Sequence, residues 1–547
     1  MKKIILTMTL VGLLIAGCSE DFLERFPTSQ IDESAAFSTS ENAMAVLYGV
    51  YDICFGTNLM GSWMPVFNEV RADDAFISQQ LNWSFWNQPF NYQQVPTSTF
   101  RGAPRDFWNA LYRVVENTNG AINANLPFVG EAKDKYVGEM KVMRAYAYFH
   151  LVQIYCKPYG FDSGESPGVP VYEVSDVSQM KGRGKVKEVY DLIVRDLDEA
   201  IALLPAQAKV SGATRITKAF ANTLMARVKM TMLDYAGAIP YIDAAIADSP
   251  DVVATAAAIN DYKKGINRKT MESIFNVPFN ADDYGIFFGF SNFWDHPEGY
   301  GNIFITTTLL NQYAANDIRR EWYITPLFWN LGDDDVTTYF GAYKTYLYHF
   351  EGWHDYSFAE AIDLYDNSTP LANSLFYPNR SASDLFVRPG HHSIYGKFPR
   401  MDGQRGGSFG SVGLDQPTIM RTSELHLMKA ECEMRKPSPN VAAAKAALQV
   451  IQARAVAGTG LSPNSGTALL DEIMMERRKE LVGEGFRFLD LLRLGLPLAR
   501  PNVPGPSWSP IMNLPAYADK MIYPIPEPEL DSNPFMNKAT DQNPGYN

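Results

Sequence analysis

Residues 217–250 carry the pattern that most restricts what this chain can become. Ala226, Ala238 and Ala245 are small, Ile242 is bulky and Pro250 is a stop, at the spacing of a 34-residue helix-turn-helix repeat. Small side chains at the crossing points let two antiparallel helices approach closely. The spacing predicts helices over Thr217–Leu233 and Tyr235–Ala247, with Asn222 and Lys229 where such repeats usually carry Trp and Tyr. Helical periodicity recurs in Glu41–Phe55, Asp106–Leu126, Tyr136–Tyr155 and Val186–Leu204. It returns in Arg421–Met434, Val441–Ala455 and Leu469–Leu494. Two stretches break it. About fifty residues after Phe55 show no helical period, and from 251 to 416 the character changes. In 281–360, 22 of 80 residues are aromatic, against 13% for the whole chain. Gly, Asp and Asn interrupt them, and helical stretches there are short, such as Thr306–Asn316.

The expected fold is therefore mostly α: a tetratricopeptide-like helical-repeat scaffold with a large irregular aromatic-rich insertion. Its expected divisions are a leader at 1–17, an N-terminal repeat region at 18–250 with a ligand-loop candidate at 56–104, an insertion at 251–416, and C-terminal helices with a Pro-rich tail at 417–547.

Composition narrows the function classes. An apolar fraction of 46% excludes a disordered chain. The formal charge is −13, and the best basic run is the short Lys-Gly-Arg-Gly-Lys at 181–185, so no nucleic-acid surface is expected. No stretch beyond residue 17 approaches the ~20 apolar residues that span a bilayer. The start does have an address. Lys2 and Lys3 precede the apolar run Ile4–Ile15, and Ala16-Gly17 stand directly before Cys18. That arrangement resembles a bacterial lipobox, in which Cys18 is acylated and begins the mature chain. The acidic Glu20 and Asp21 behind it resemble a surface-export signal. Cys54, Cys156 and Cys432 lack CxxC spacing and are an odd number, so buried thiols are expected rather than disulfides or zinc.

Four segments go together. The mature start is Cys18-Ser-Glu-Asp-Phe-Leu-Glu-Arg-Phe-Pro-Thr. Trp108-Asn-Ala-Leu-Tyr112 is followed by Asn117-Thr-Asn119, Gly138-Glu139 and Arg144-Ala-Tyr-Ala-Tyr-Phe-His150. Late in the chain stand Glu476-Arg-Arg-Lys-Glu-Leu481, Glu484-Gly485, Arg487-Phe-Leu-Asp-Leu491 and Arg493. The end holds Tyr523-Pro-Ile-Pro526, Asn533-Pro534 and Gln542-Asn-Pro-Gly-Tyr546. Together they resemble the SusD/RagB family of outer-membrane nutrient-binding lipoproteins. The resemblance implies a glycan ligand, a SusC-like TonB-dependent transporter as partner, a lipid anchor on Cys18 at the outer membrane facing the cell exterior, and no enzymatic activity. Read physically, 476–493 is an amphipathic helix with Glu and Arg at i, i+3 and i+4 and with Leu481, Phe488 and Leu492 inward. It should lock the C-terminal helix onto the repeats. Trp108 and Tyr112, at i and i+4, are expected in the core.

Two regions suit sugar recognition, which needs flat aromatic faces for C–H groups and amides for hydroxyls. The first contains Trp83, Trp86 and Asn87, with Arg71, Asp73 and Asp74 nearby as hydroxyl partners or as a structural ion pair. The second offers Trp294, Tyr300, Asn302, Trp322 and Trp329. The plainer reading is that these aromatics fill a loop-rich core. A peptide ligand, a secreted glycoside hydrolase and a protein-binding repeat adaptor are the competing functions; the adaptor predicts buried Trp positions whose loss unfolds the chain. Catalytic signals are weak. Gly406-Gly-Ser-Phe-Gly410 matches G-x-S-x-G without the flanking strand and helix that a nucleophile elbow needs. His391-His392 lacks a metal-site spacing, and Asp333-Asp334-Asp335 lacks the alternating ligands of a calcium loop. No cofactor is expected, and calcium is not indicated.

Overall fold

The computed structural model describes residues 33–546 except 78–85, 100–101, 177, 207–208, 210–211, 253–271, 278, 280–287, 295–302, 324, 330–344, 350–351, 357–384, 388–393, 395–396, 399–416 and 502–511. The scaffold helices are α1 (Ser40–Phe55), α2 (Trp63–Arg71), α3 (Pro104–Asn123), α4 (Glu131–Tyr155), α5 (Val186–Leu203), α6 (Lys218–Thr231) and α7 (Tyr235–Asp248). They continue as α8 (Thr422–Arg435), α9 (Val441–Ala455), α10 (Gly466–Leu481) and α11 (Phe486–Arg493). Side-chain caps set several starts. Thr39 accepts from the Asn42 N–H, Thr217 from Phe220, Asp234 from Gly237 and Asn440 from Ala443.

From α3 to α7 each helix packs on the next, and α8 packs on α9. Ala226, Ala238, Ile242 and Ala245 are all fully buried where α6 meets α7, and α7 ends just before Pro250. The close approach read from their size is present. More telling, α7 packs against α8 although more than 170 residues of chain separate them. The helical stack is thus continuous in space, and the intervening segment leaves and rejoins it at one place.

Among its described residues that segment contains mainly short strands, with helix limited to single turns such as Thr307–Leu310. With β1 (Ala75–Ile77), β2 (Ser273–Asn276) and β3 (Ile303–Ile305) come β4 (Thr325–Trp329), β5 (Thr345–His349), β6 (Gly352–Tyr356), β7 (Leu385–Val387) and β8 (Thr418–Arg421). Strand β2 lies antiparallel to β8, with Ser273 opposite Arg421, so the two ends of the insertion are paired beside α8. Strands β4–β7 form one sheet in the order β6-β5-β4-β7, parallel only between β4 and β5.

Three expectations need correcting. Helix α2 lies in the stretch expected to lack helix; eight of its nine residues are buried, Arg71 and Glu69 included. Thr306–Asn316 contains only one helical turn, Thr307–Leu310. The single helix expected over 469–494 is two, because Gly483 and Gly485 both have φ of +80°. A Cβ on Gly485 would stand 2.6 Å from the Pro65 carbonyl oxygen, so the break also lets α2 approach.

Charges in this C-terminal segment pair mostly across the fold rather than along the helix. Arg319 of the insertion meets Glu480 at 2.9 Å and Glu476 at 2.6 Å. Arg421 meets Glu480 at 2.6 Å, Glu272 at 2.8 Å and Glu484 at 2.7 Å. Arg454 of α9 also reaches Glu480, and Lys397 donates to Glu484 and to the Glu480 and Val482 carbonyls. Insertion, α8, α9 and α10 therefore share one buried ionic network. Leu481, Phe488 and Leu492 do face inward as expected. The other motif residues are also structural: Arg144 holds Asp196 and Asn119, and Arg493 holds Glu431 and Asp490.

Glu69 braces the α10–α11 break by accepting the Gly485 N–H at 2.9 Å. Burial, with Asp74 nearby, raises its carboxyl to about 7. A carboxyl raised in the fold contributes stability present below its unfolded value of ~4.3 and lost as pH rises to 7. Glu69→Gln should flatten stability between about pH 4.5 and 7. It should add about 3–4 kcal/mol at pH 8, because each tenfold change in proton affinity is worth ~1.36 kcal/mol. Urea denaturation at a series of pH values would show an unchanged pH dependence if this account is wrong.

The Pro-rich tail closes over the outer end of α4. The Tyr523 N–H donates to Ile154, and Asn543 Nδ2 donates to the Tyr155 and Tyr523 carbonyls at 2.7 and 2.6 Å. Asn543→Ala leaves both buried carbonyls short of a donor, a cost of about 1–3 kcal/mol. Hydrogen exchange across 522–546 should accelerate; equal protection would show that the tail is held elsewhere. Trp108 is buried and Tyr112 half-buried, their rings 4.8 Å apart, with the Tyr112 hydroxyl donating to Pro170. Cys54, Cys156 and Cys432 are buried free thiols.

Candidate ligand-binding site

The structure pairs the strands that border the two sequence-predicted regions. Strand β1 pairs with β3, and Ile77 lies opposite Ile303. Trp86 and Trp294, one from each region, are both described. The Trp86 ring is 4.7 Å from Trp63 of α2 and 5.1 Å from Phe293, the residue before Trp294. Trp294 in turn packs on Phe290 and Phe398. One aromatic cluster thus ties together α2, the first loop and the insertion.

The roles expected of several rings are overturned by that packing. Trp86 is 1% exposed, Trp294 0% and Trp322 1%. A ring enclosed on all sides has no face to offer a sugar, so these three are core residues. Trp322 carries the Lys397 ammonium 4.6 Å above it, a cation–π contact inside the ionic network. Asn87, at the start of the short helix Asn87–Asn91, is half-buried. Trp83, Tyr300 and Asn302 lie outside the described residues, as do Cys18, the 406–410 glycine motif, Asp333–Asp335 and His391-His392. For Trp329 only the β4 backbone is described.

Asp73 is not a free partner for hydroxyls. Both carboxylate oxygens take hydrogen bonds from Arg487 at 2.7 Å. Burial opposes its charge, but Arg487 and Arg478 outweigh it and hold the carboxyl below its usual range. Asp74 pairs with Arg478; there burial prevails and raises the carboxyl. Arg71 is buried, donates to the Met521 carbonyl and lies 4.1 Å from the Phe488 ring centre. All three hold the C-terminal segment against α2 and β1: Asp73 and Asp74 in ion pairs with Arg487 and Arg478, and Arg71 through the Met521 carbonyl and the Phe488 ring. Sequence reading missed Glu272, Arg319, Lys397 and Arg454. For Arg454 the available signal was a solitary charge among mostly apolar neighbours, in Val450-Ile-Gln-Ala-Arg-Ala455, whereas Arg319 stands among other charges in Asp317-Ile-Arg-Arg-Glu321.

Among the described residues no group of three or more His, Cys, Asp or Glu is placed to hold a metal ion. None of the described helices is long and apolar enough to cross a membrane.

Comparison with known proteins places this arrangement. A family model described as the SusD family matches residues 252–546, more than half of the chain. The chain belongs to the SusD family. A second model, described as starch-binding associating with outer membrane, matches residues 21–230 of this SusD-family chain. It is 24% identical over its whole length to the whole of SusD-like protein P2 of Formosa agariphila. A SusD-like protein of Bacteroides ovatus is 26% identical over 227 residues, covering 39% of this chain and 37% of that one. Among solved structures, a SusD superfamily protein of Bacteroides vulgatus superposes with a TM-score of 0.70 at 21% identity, covering 93% of this chain and 99% of the other. Surface glycan-binding protein A of Bacteroides thetaiotaomicron, solved with laminarihexaose, superposes at 0.61 with 20% identity, covering 92% and 99%. These likenesses show the fold.

Proposed function

We propose that this chain is an outer-membrane lipoprotein, anchored through Cys18, that binds an oligo- or polysaccharide and delivers it to a partner TonB-dependent transporter. No bond is made or broken in this account. The observation that carries it is the membership of the SusD family, together with a fold relative, a surface glycan-binding protein, solved in complex with laminarihexaose. The pairing of Ile77 with Ile303, each next in sequence to an aromatic and amide-rich segment, supports a ligand surface with Trp83, Tyr300 and Asn302 as its proposed contacts and Asn87 at its edge.

Affinity electrophoresis of residues 19–547 through gels cast with plant, microbial and host glycans tests this directly. One glycan should retard the chain. Trp83→Ala and Tyr300→Ala should each weaken that retardation about tenfold, the scale of one lost stacking contact, with an unchanged circular dichroism spectrum. Retardation by no glycan would sink the proposal and favour a peptide ligand. Reducing ends released with time would indicate a hydrolase instead.

A further inference from the structure

We propose that a cavity where the insertion meets the scaffold is a built-in hydration site, holding ordered water that is hydrogen-bonded to His150. The cavity measures about 70 Å³ and is bordered by Asn68 of α2, Tyr146 and His150 of α4, Arg227 of α6, Phe398 of the insertion and Glu484. Two segments singled out in the sequence, Arg144–His150 and Glu484-Gly485, thus face the same space, and neither is explained by ligand capture.

The decisive atom is His150 Nε2. The residue is 7% exposed, yet among the described residues this nitrogen has no hydrogen-bond partner. Buried polar atoms are nearly always satisfied, by protein or by ordered water, and an orphan costs the full desolvation of the group. The Tyr146 ring stands 4.6 Å away edge-on and offers it no acceptor or donor in that contact. Burial, with the Arg227 charge, pushes the imidazole down to about 3, so it is neutral at physiological pH. A neutral imidazole presents one donor and one acceptor, which water can serve in either sense. The space suits that occupant. Its volume is several times the ~10–15 Å³ that admits one water. Asn68, Tyr146 and Glu484 supply the further polar partners that an ordered water requires.

A crystal structure of the mature chain, at a resolution that shows its other buried waters, tests the assignment. Water density within about 3.2 Å of a His150 ring nitrogen is expected. A dry cavity, or one filled by a neighbouring side chain, overturns it. His150→Leu gives an independent readout in urea. If water binds there, the variant strands that water and the folding equilibrium constant falls roughly tenfold. If the site is dry, leucine removes an unsatisfied imidazole and the midpoint holds or rises, which also refutes the proposal.

Discussion

Glu480→Leu should destabilise the chain by about 3–5 kcal/mol, because it removes the shared partner of three buried cations. The Glu480 carboxylate lies 2.9 Å from Arg319, 2.6 Å from Arg421 and 2.5 Å from Arg454, and it is fully buried. Burial by itself would raise this carboxyl. Arg454, Arg421, Arg319 and Lys397 outweigh burial and hold it well below the ordinary carboxylate range. A depressed carboxyl contributes stability that is present above its unfolded value near ~4.3 and is lost as pH falls toward the folded one. Acid rather than base should therefore loosen the insertion from α8–α10. Urea midpoints at pH 7 would report the leucine variant. An acid titration of Glu480→Gln should lack part of the wild-type transition below about pH 5. An unchanged midpoint in the leucine variant would show that the network is dispensable and that apolar packing alone seats the insertion.

Trp294→Ala should cost about 3–5 kcal/mol of stability, the range for emptying a buried aromatic site. Its ring is fully buried against Phe290 and Phe398, in the cluster that continues through Phe293 to Trp86 and Trp63. Any loss of glycan retention in this variant should accompany loss of native structure, seen as a lowered urea midpoint. Trp83→Ala should do the opposite, weakening retention while the midpoint holds. Were Trp294→Ala to keep full stability and lose only binding, the ring would have to be reachable by ligand and the core assignment would fail.

The legible parts of the fold were those with a one-sided pattern. Val441–Ala455 is helical over the range its periodicity predicts, with Ala444, Ala447, Leu448, Ile451 and Ala455 buried and the opposite face in water. Helix α2 was illegible because only nine residues carry it, with Pro65 in its first turn, too short a window for a period to stand out. The candidate site was legible only as a composition. Tryptophan serves a core and a sugar face equally well, and nothing near Trp86, Trp294 or Trp322 in the chain says which side of the packing each will occupy. Asp73 was similarly ambiguous until Arg487, 414 positions away, closed on it.

The sequence by itself determined the helical-repeat scaffold and the segments that mark the family. Helix periodicity and short motifs depend on neighbours a few residues apart, so they can be read locally. The tertiary structure alone decided which charges are buried together and which indoles are enclosed. Arg319 finds Glu480 across 161 residues and Arg421 finds Glu272 across 149. Pairings at that distance arise only when packed faces exclude water, and a buried charge must then meet its opposite or neutralise.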